Sequence, residues 1–120
     1  KKAILLNVSA PFHCSLMRPA ADEMKNKIEA IKFKKPKSDI ICNVTSQVEN
    51  DPEKLKKLLV EQIYSSVRWR ETLINMASNK IDEFIEIGPG KVLSGMVKRT
   101  LKDTKSFSIN SIDDIKKIND

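Results

Sequence analysis

The chain has 120 residues, 40% of them hydrophobic and 32% charged, with a formal net charge of +6. That length makes one small domain or part of a larger one, and no apolar run approaches the roughly 20 residues needed to span a membrane. The 2 cysteines have no metal-ligand partners at useful spacing, and nothing at the N-terminus reads as a secretory signal, so reduced thiols and a cytoplasmic setting are expected.

Residues 3–8 read as a short buried strand, ended by Ser9 and Pro11. A helix is expected from about Ser15 to Ile31. Leu16, Ala20, Met24, Ile28 and Ile31 form its apolar stripe, Ser15 is its N-cap, and Pro19 falls in its first turn. A lysine-rich loop follows. Asp39 to Val44 is then too continuously apolar for a one-sided strand, which favours a strand covered on both faces. Asp51-Pro52 opens the next helix, with Asp as cap and Pro at the first helical position. Leu55, Leu58, Leu59 and Ile63 form its apolar stripe, and Gln62 lies on the same stripe.

A further helix starts near Val67 or Trp69, with Trp69, Leu73, Met76 and Ala77 on one side. Ile81 to Ile87 is a strand, Gly88-Pro89-Gly90 a turn, and Lys91 to Leu101 a helix. Lys105 to Asn110 reads as an edge strand, and Ser111 with Asp114 caps a last short helix. The order is β-α-β-α-α-β-α-β-α. Strands separated by helices call for an α/β fold with a three-stranded parallel sheet.

The positive charge gathers in Lys25, Lys27, Lys32, Lys34, Lys35 and Lys37. Phe33 is the one aromatic among them, and no arginine fork or nucleic-acid motif accompanies them. A solvated face is therefore expected, with no nucleic-acid partner. The chain's single histidine, His13, follows a proline-stiffened corner at a strand end. Such a mount suits an imidazole acting as a neutral base near pH 7, though a lone histidine in a small domain is more often a structural or surface residue. Gly88-Pro89-Gly90 follows a strand and opens a helix, as phosphate cradles do. It lacks a P-loop or dinucleotide pattern, so a structural turn is the better reading.

Val8-Ser9-Ala10-Pro11-Phe12-His13-Cys14-Ser15-Leu16-Met17 resembles the histidine segment of the malonyl-CoA:acyl carrier protein transacylases of bacterial fatty acid synthesis. Gln62-Ile63-Tyr64 with Val67-Arg68-Trp69, and Glu86-Ile87-Gly88-Pro89-Gly90-Lys91-Val92-Leu93-Ser94-Gly95, resemble two further landmarks of that family. They fall in the family's order and spacing. Ser65-Ser66 departs from the Asn-Pro often found before Val-Arg-Trp. The resemblance covers only the C-terminal part of a family member.

The resemblance implies several things. Residues 1–8 would be the last strand of a small ferredoxin-like subdomain, and residues 9–120 the C-terminal part of a large hydrolase-like core domain. The parent enzyme would move a malonyl group from coenzyme A to acyl carrier protein through a serine ester, with no metal or redox cofactor. His13 would be its base. A main-chain carbonyl at Gln62 would orient the ring, although a core glutamine satisfied by its own neighbours explains that residue almost as well. Val8, Phe12 and Val92 would wall the acyl pocket, with Phe12 crowding out an α-methyl group. A basic surface would steer the acidic carrier protein.

No Gly-x-Ser-x-Gly elbow occurs in the chain. Ser94 comes closest and lacks the upstream glycine. The nucleophile, oxyanion hole and carboxylate-binding arginine would lie in an N-terminal part of the enzyme. The chain alone is expected to be inactive, and to self-associate through apolar surface that the rest would cover. The competing readings are an acyltransferase domain of a polyketide synthase and a non-catalytic basic binding module.

Overall fold

A computed structural model of the chain describes residues 10–118, with side chains as far as Lys116. The strand expected at 3–8, and Val8 with it, lies outside the described residues. The chain divides into two compact units, Lys1–Arg68 and Trp69–Asp120.

In the first unit, a turn at Pro11–His13 leads through a 3-10 turn at Ser15–Met17 into helix α1, Arg18–Ala30. Pro19 sits in the first turn of α1, where its missing N–H costs nothing. Ser15 is not the cap. The Met17 N–H already bonds to the Cys14 carbonyl at 3.0 Å, so the chain is helical from Ser15 onward and no side chain caps either start. The expected stripe is also displaced. Ala21 and Ile28 are the buried positions of α1, while Leu16, Met24 and Ile31 are exposed.

Helix α1 packs on helix α2, Pro52–Glu61. A fully buried alanine at position 21 lets another helix come close. The Asp51 carboxylate caps α2, accepting from the N–H groups of Glu53 at 2.8 Å and Lys54 at 3.3 Å. These two bonds hold its pKa below the ordinary carboxylate range. Lys56 ties the helices together: its Nζ donates to the Glu29 carbonyl at 3.3 Å and lies 3.2 Å from the Glu53 carboxylate.

The segment expected to be a parallel strand at 39–44 is instead the first arm of a small hairpin. Only Ile40–Ile41 (β1) pairs, antiparallel, with Val48–Glu49 (β2). The chain reverses at once. The Ser46 N–H bonds to the Cys42 carbonyl at 2.8 Å, and Ser46 takes a φ of +58°. Cys42, Asn43 and Val44 are thus half-buried turn residues, and their apolar character imitated a strand covered on both faces.

The second unit runs α3 (Trp69–Ser78), β3 (Glu83–Ile87), α4 (Val92–Thr100), β4 (Lys105–Ile109) and α5 (Ile112–Ile118). Strands β3 and β4 pair in parallel, in register from Glu83 opposite Lys105 to Ile87 opposite Ile109. The two sheets among the described residues have two strands each, so the expected three-stranded parallel sheet is not formed within them. Helix α4 packs on both strands of the parallel pair and α3 packs on α4. Leu73, Thr72, Ser94 and Val97 are buried there. Ile85, Ile87 and Phe107 are exposed, Ile87 by 80%. Ser111 and Asp114 cap α5 reciprocally, as expected: the Asp114 N–H donates to Ser111 Oγ at 3.3 Å and the Ser111 N–H to Asp114 Oδ2 at 3.1 Å.

Among the described residues, no helix is long and apolar enough to cross a membrane, and no group of three His, Cys, Asp or Glu side chains could hold a metal ion. Leu73 has no exposed surface. Leu73→Ala leaves a cavity, and large-to-small changes at such sites cost about 2–5 kcal/mol. Urea titration should show a loss of that size, whereas Ile87→Ala, at an exposed position, should change stability by less than about 0.5 kcal/mol.

Candidate functional site

His13 sits in the tight turn that precedes α1, with a backbone φ of +57°. That left-handed conformation is uncommon for a residue with a side chain, and such residues cluster at functional sites. The turn is closed locally. The Phe12 N–H donates to the Ala10 carbonyl at 2.9 Å, and the Cys14 thiol donates to the Pro11 carbonyl at 3.1 Å.

His13 Nδ1 lies 2.9 Å from the main-chain oxygen of Gln62, 49 residues away. A carbonyl only accepts, so Nδ1 carries the proton and Nε2 keeps its lone pair. The contact follows from helix geometry. Gln62 is the C-cap of α2, and its own N–H bonds to the Leu58 carbonyl at 3.0 Å. The last carbonyls of a helix have no partner within it, so this oxygen is free to take one from outside. It is the backbone of Gln62, not its amide, that meets the ring. The result is an exposed imidazole, fixed in one tautomer, with a basic nitrogen facing away from its anchor.

Of the other residues singled out from sequence, Phe12 flanks His13 and is 59% exposed. Val92 opens α4 in the second unit and is 64% exposed. The six lysines at 25, 27, 32, 34, 35 and 37 are all exposed; Lys25 lies 3.8 Å from Glu29. The structure brings His13 and Gln62 together. Phe12 adjoins His13 in sequence, while Val92 belongs to the second unit.

The Gly88-Pro89-Gly90 turn is structural. Gly88 and Gly90 have φ of +137° and +98°, values that side chains rarely adopt. The Gly88 N–H bonds to the Ile109 carbonyl at 3.0 Å, and the Gly90 N–H to Asn110 Oδ1 at 2.6 Å. The α4 amides that a phosphate would seek are already occupied. Glu86 accepts from the N–H groups of Leu93 at 3.1 Å and Ser94 at 2.8 Å, and from Ser94 Oγ at 2.7 Å. Ser108 Oγ is 2.8 Å from Ser94 Oγ and completes the network.

Sequence reasoning missed this network. Its one signal was a carboxylate between two isoleucines in a strand, at a position that faces a helix N-terminus. The Ser94 hydroxyl and the two amides hold Glu86 below the ordinary glutamate range.

No protein-family model matches the chain. Relatives match nearly all of it. The malonyl CoA-acyl carrier protein transacylase of Bacillus subtilis is 41% identical over 110 residues, which is 92% of this chain and 35% of that protein. An acyl carrier protein S-malonyltransferase from Vibrio cholerae superposes with a TM-score of 0.91 at 40% identity, over 98% of this chain and 39% of the other. A malonyl-transacylase solved in complex with a type II polyketide acyl carrier protein superposes with a TM-score of 0.85 at 36% identity, over 96% of this chain and 38% of the other. The chain thus spans little more than a third of the proteins it matches.

Two outcomes test the site. Gln62→Ala keeps the main-chain oxygen, so nitrogen NMR should still find His13 protonated at Nδ1; a switch to the other tautomer would show that the amide side chain holds the ring. A lowered folded-state pKa makes the Glu86 contribution fully present above the ordinary glutamate range and lost as pH falls through the lower folded value. Glu86→Gln should therefore melt below the parent at pH 7, and thermal melts should show the gap narrowing as the pH falls below the ordinary glutamate range.

Over nearly its whole length, in sequence and in fold, this chain is homologous to the C-terminal part of the malonyl CoA-acyl carrier protein transacylases.

Proposed function

We propose that this chain is the base-bearing part of an enzyme that moves a malonyl group from coenzyme A to acyl carrier protein. The observation that carries the reading is the 2.9 Å contact between His13 Nδ1 and the Gln62 carbonyl, which leaves Nε2 as a base. Nε2 takes the proton of a serine hydroxyl as its oxygen attacks the thioester carbonyl. The tetrahedral intermediate expels the coenzyme A thiolate, which receives that proton from the imidazolium. The malonyl group is now a serine ester. In the second half, Nε2 deprotonates the phosphopantetheine thiol of the carrier protein. The thiolate attacks the ester, and the proton returns to the serine oxygen. Each half ends with the ring neutral.

A carbonyl acceptor suits this cycle. It fixes the tautomer, and the partial negative charge at the α2 C-terminus stabilises the imidazolium as it forms. A full carboxylate there would favour the charged ring at rest.

The serine, the oxyanion hole and the arginine for the malonyl carboxylate belong, in this reading, to an N-terminal part of the same enzyme. That part would extend the β3–β4 pair, cover Ile85, Ile87 and Phe107, and complete the hydrolase-like core, with residues 1–8 closing a ferredoxin-like subdomain. Without it the chain self-associates through those apolar residues. Phe12 narrows the acyl pocket against α-branched acyl groups, a methyl being worth about 1–3 kcal/mol, and Val8 and Val92 wall it. The route needs no metal or redox cofactor. The lysines from 25 to 37 steer an acidic carrier protein, and the reaction takes place in the cytoplasm.

The test is a chimera in which this chain replaces the matching third of the Bacillus subtilis relative. The chimera should transfer malonyl to acyl carrier protein, and the chain alone should not. His13→Ala should cut the chimera's rate by about 10²–10⁴-fold, the usual contribution of a positioned base. A folded chimera indifferent to His13→Ala would overturn the proposal.

A further inference from the structure

The contact between His13 and Gln62 has a neighbour that joins the same two segments. The Arg18 guanidinium carbon lies 4.3 Å from the centroid of the Tyr64 ring, well inside the roughly 6 Å within which a cation is attracted to an aromatic face. Arg18 opens α1 just past the His13 turn, and Tyr64 stands just past Gln62. Asp22 and Glu61 line the same cleft between α1 and α2, yet among the described residues the guanidinium pairs with neither. The ring face is its partner.

Each segment is stiff between its two contact points. On one side, the Met17 N–H bonds to the Cys14 carbonyl at 3.0 Å, and the 3-10 turn Ser15–Met17 runs straight into α1. On the other, the Ile63 N–H bonds to the Val60 carbonyl at 3.2 Å and the Tyr64 N–H to the Glu61 carbonyl at 3.3 Å, so tight turns carry the winding of α2 on to the ring. A displacement at one contact is therefore felt at the other. A single hydrogen bond leaves two segments free to pivot about it, and such bonds weaken steeply with misalignment. A second contact beside the first removes the pivot. Tyr64 is half-buried and supplies the fixed surface; Arg18 is exposed and closes on it.

We propose that Arg18 and Tyr64 are positioning residues for the His13 imidazole. Their stack is the second of two ties between the His13 turn and the end of α2, and it keeps Nδ1 aligned with the Gln62 carbonyl. Neither residue touches the reacting atoms. They act through the ring, by raising the share of molecules in which Nδ1 is bound and Nε2 is free as a base. The consequence for malonyl transfer rests on the proposed role of His13; the consequence for the ring's placement does not.

His13 is the chain's single histidine, so histidine labelled with nitrogen-15 in the ring gives one pair of signals, whose shifts report the ratio of the two tautomers while the ring is neutral. Arg18→Met keeps the length of the side chain and removes its charge; Tyr64→Leu removes the ring. Each should lower the ratio of the Nδ1–H to the Nε2–H form in the 120-residue chain by about 2- to 5-fold, the worth of an exposed cation over a ring. Arg18→Lys and Tyr64→Phe keep a cation over a ring and should hold the parent ratio to within about 2-fold. In the chimera with the Bacillus subtilis relative, Arg18→Met should lower kcat by up to about 5-fold, and Arg18→Lys should recover it. If Tyr64→Leu does not fold, the two Arg18 variants, at an exposed position, decide. A parent-like ratio in Arg18→Met overturns the proposal even where the melting temperature falls, and so does a Tyr64→Phe that shifts as far as Tyr64→Leu. A shifted ratio beside a chimera indifferent to His13→Ala upholds the positioning role and sinks the base reading, so the two failures are told apart.

Discussion

One hydrogen bond organises the first unit: the imidazole of His13 against the carbonyl that ends α2. It joins two segments far apart in the chain and decides the protonation pattern of the ring. It also explains why His13 tolerates a backbone φ of +57°. Strain of that kind typically costs about 1–3 kcal/mol and persists where the surroundings over-determine it. Here the surroundings are the bond to Gln62, the closed turn between Ala10 and Phe12, and the thiol of Cys14 on the Pro11 carbonyl. The ring cannot relax its backbone without giving up its anchor.

The second unit uses the same property of helices with the opposite sign. α2 ends in an unpaired acceptor, and a donor from outside meets it. α4 begins with unpaired donors, and the Glu86 carboxylate from β3 meets them. No residue at the start of α4 caps it, since Lys91 makes no side-chain bond there. The cap comes from a strand instead, which fixes the distance between β3 and α4 and therefore the shape of the glycine turn joining them. Ser94 and Ser108 extend the clamp to β4. A strand–turn–helix that looked like an anion cradle is closed by an anion of its own.

Much of this was legible in the sequence, and the failures have identifiable causes. Caps carried their own chemistry: Asp51-Pro52 and the Ser111–Asp114 pair behave as their residue types require. The parallel pairing of β3 and β4 followed from the helix between them. The hairpin at Ile40–Ile41 was misread because a half-buried turn and a fully buried strand share one apolar signature. Nothing short of the Ser46 backbone conformation separates them. The α1 stripe failed for another reason. Periodicity finds the apolar face of a helix, but it does not say which part of that face the chain itself covers. The contact to the Gln62 carbonyl is invisible to pattern reading altogether, because a main-chain oxygen has no letter in the sequence. It entered only through resemblance to a family in which that position already had a role.

The exposed side of the β3–β4 pair bears on this last point. Parallel strands are ordinarily covered on both faces. Here α4 covers one, and Ile85, Ile87 and Phe107 remain exposed. Along β3 the half-buried positions are Phe84 and Glu86, so the residue chosen to face the helix is a carboxylate while an isoleucine faces solvent. Burial alone would have selected the reverse. The order makes sense once Glu86 is seen as the cap of α4: the face turned toward the helix is specified by hydrogen bonding, and the hydrophobic requirement of the strand falls on its other face. The turns at His13 and at Gly88–Gly90 are thus both set by polar contacts to helix ends, and the apolar surface is distributed around them.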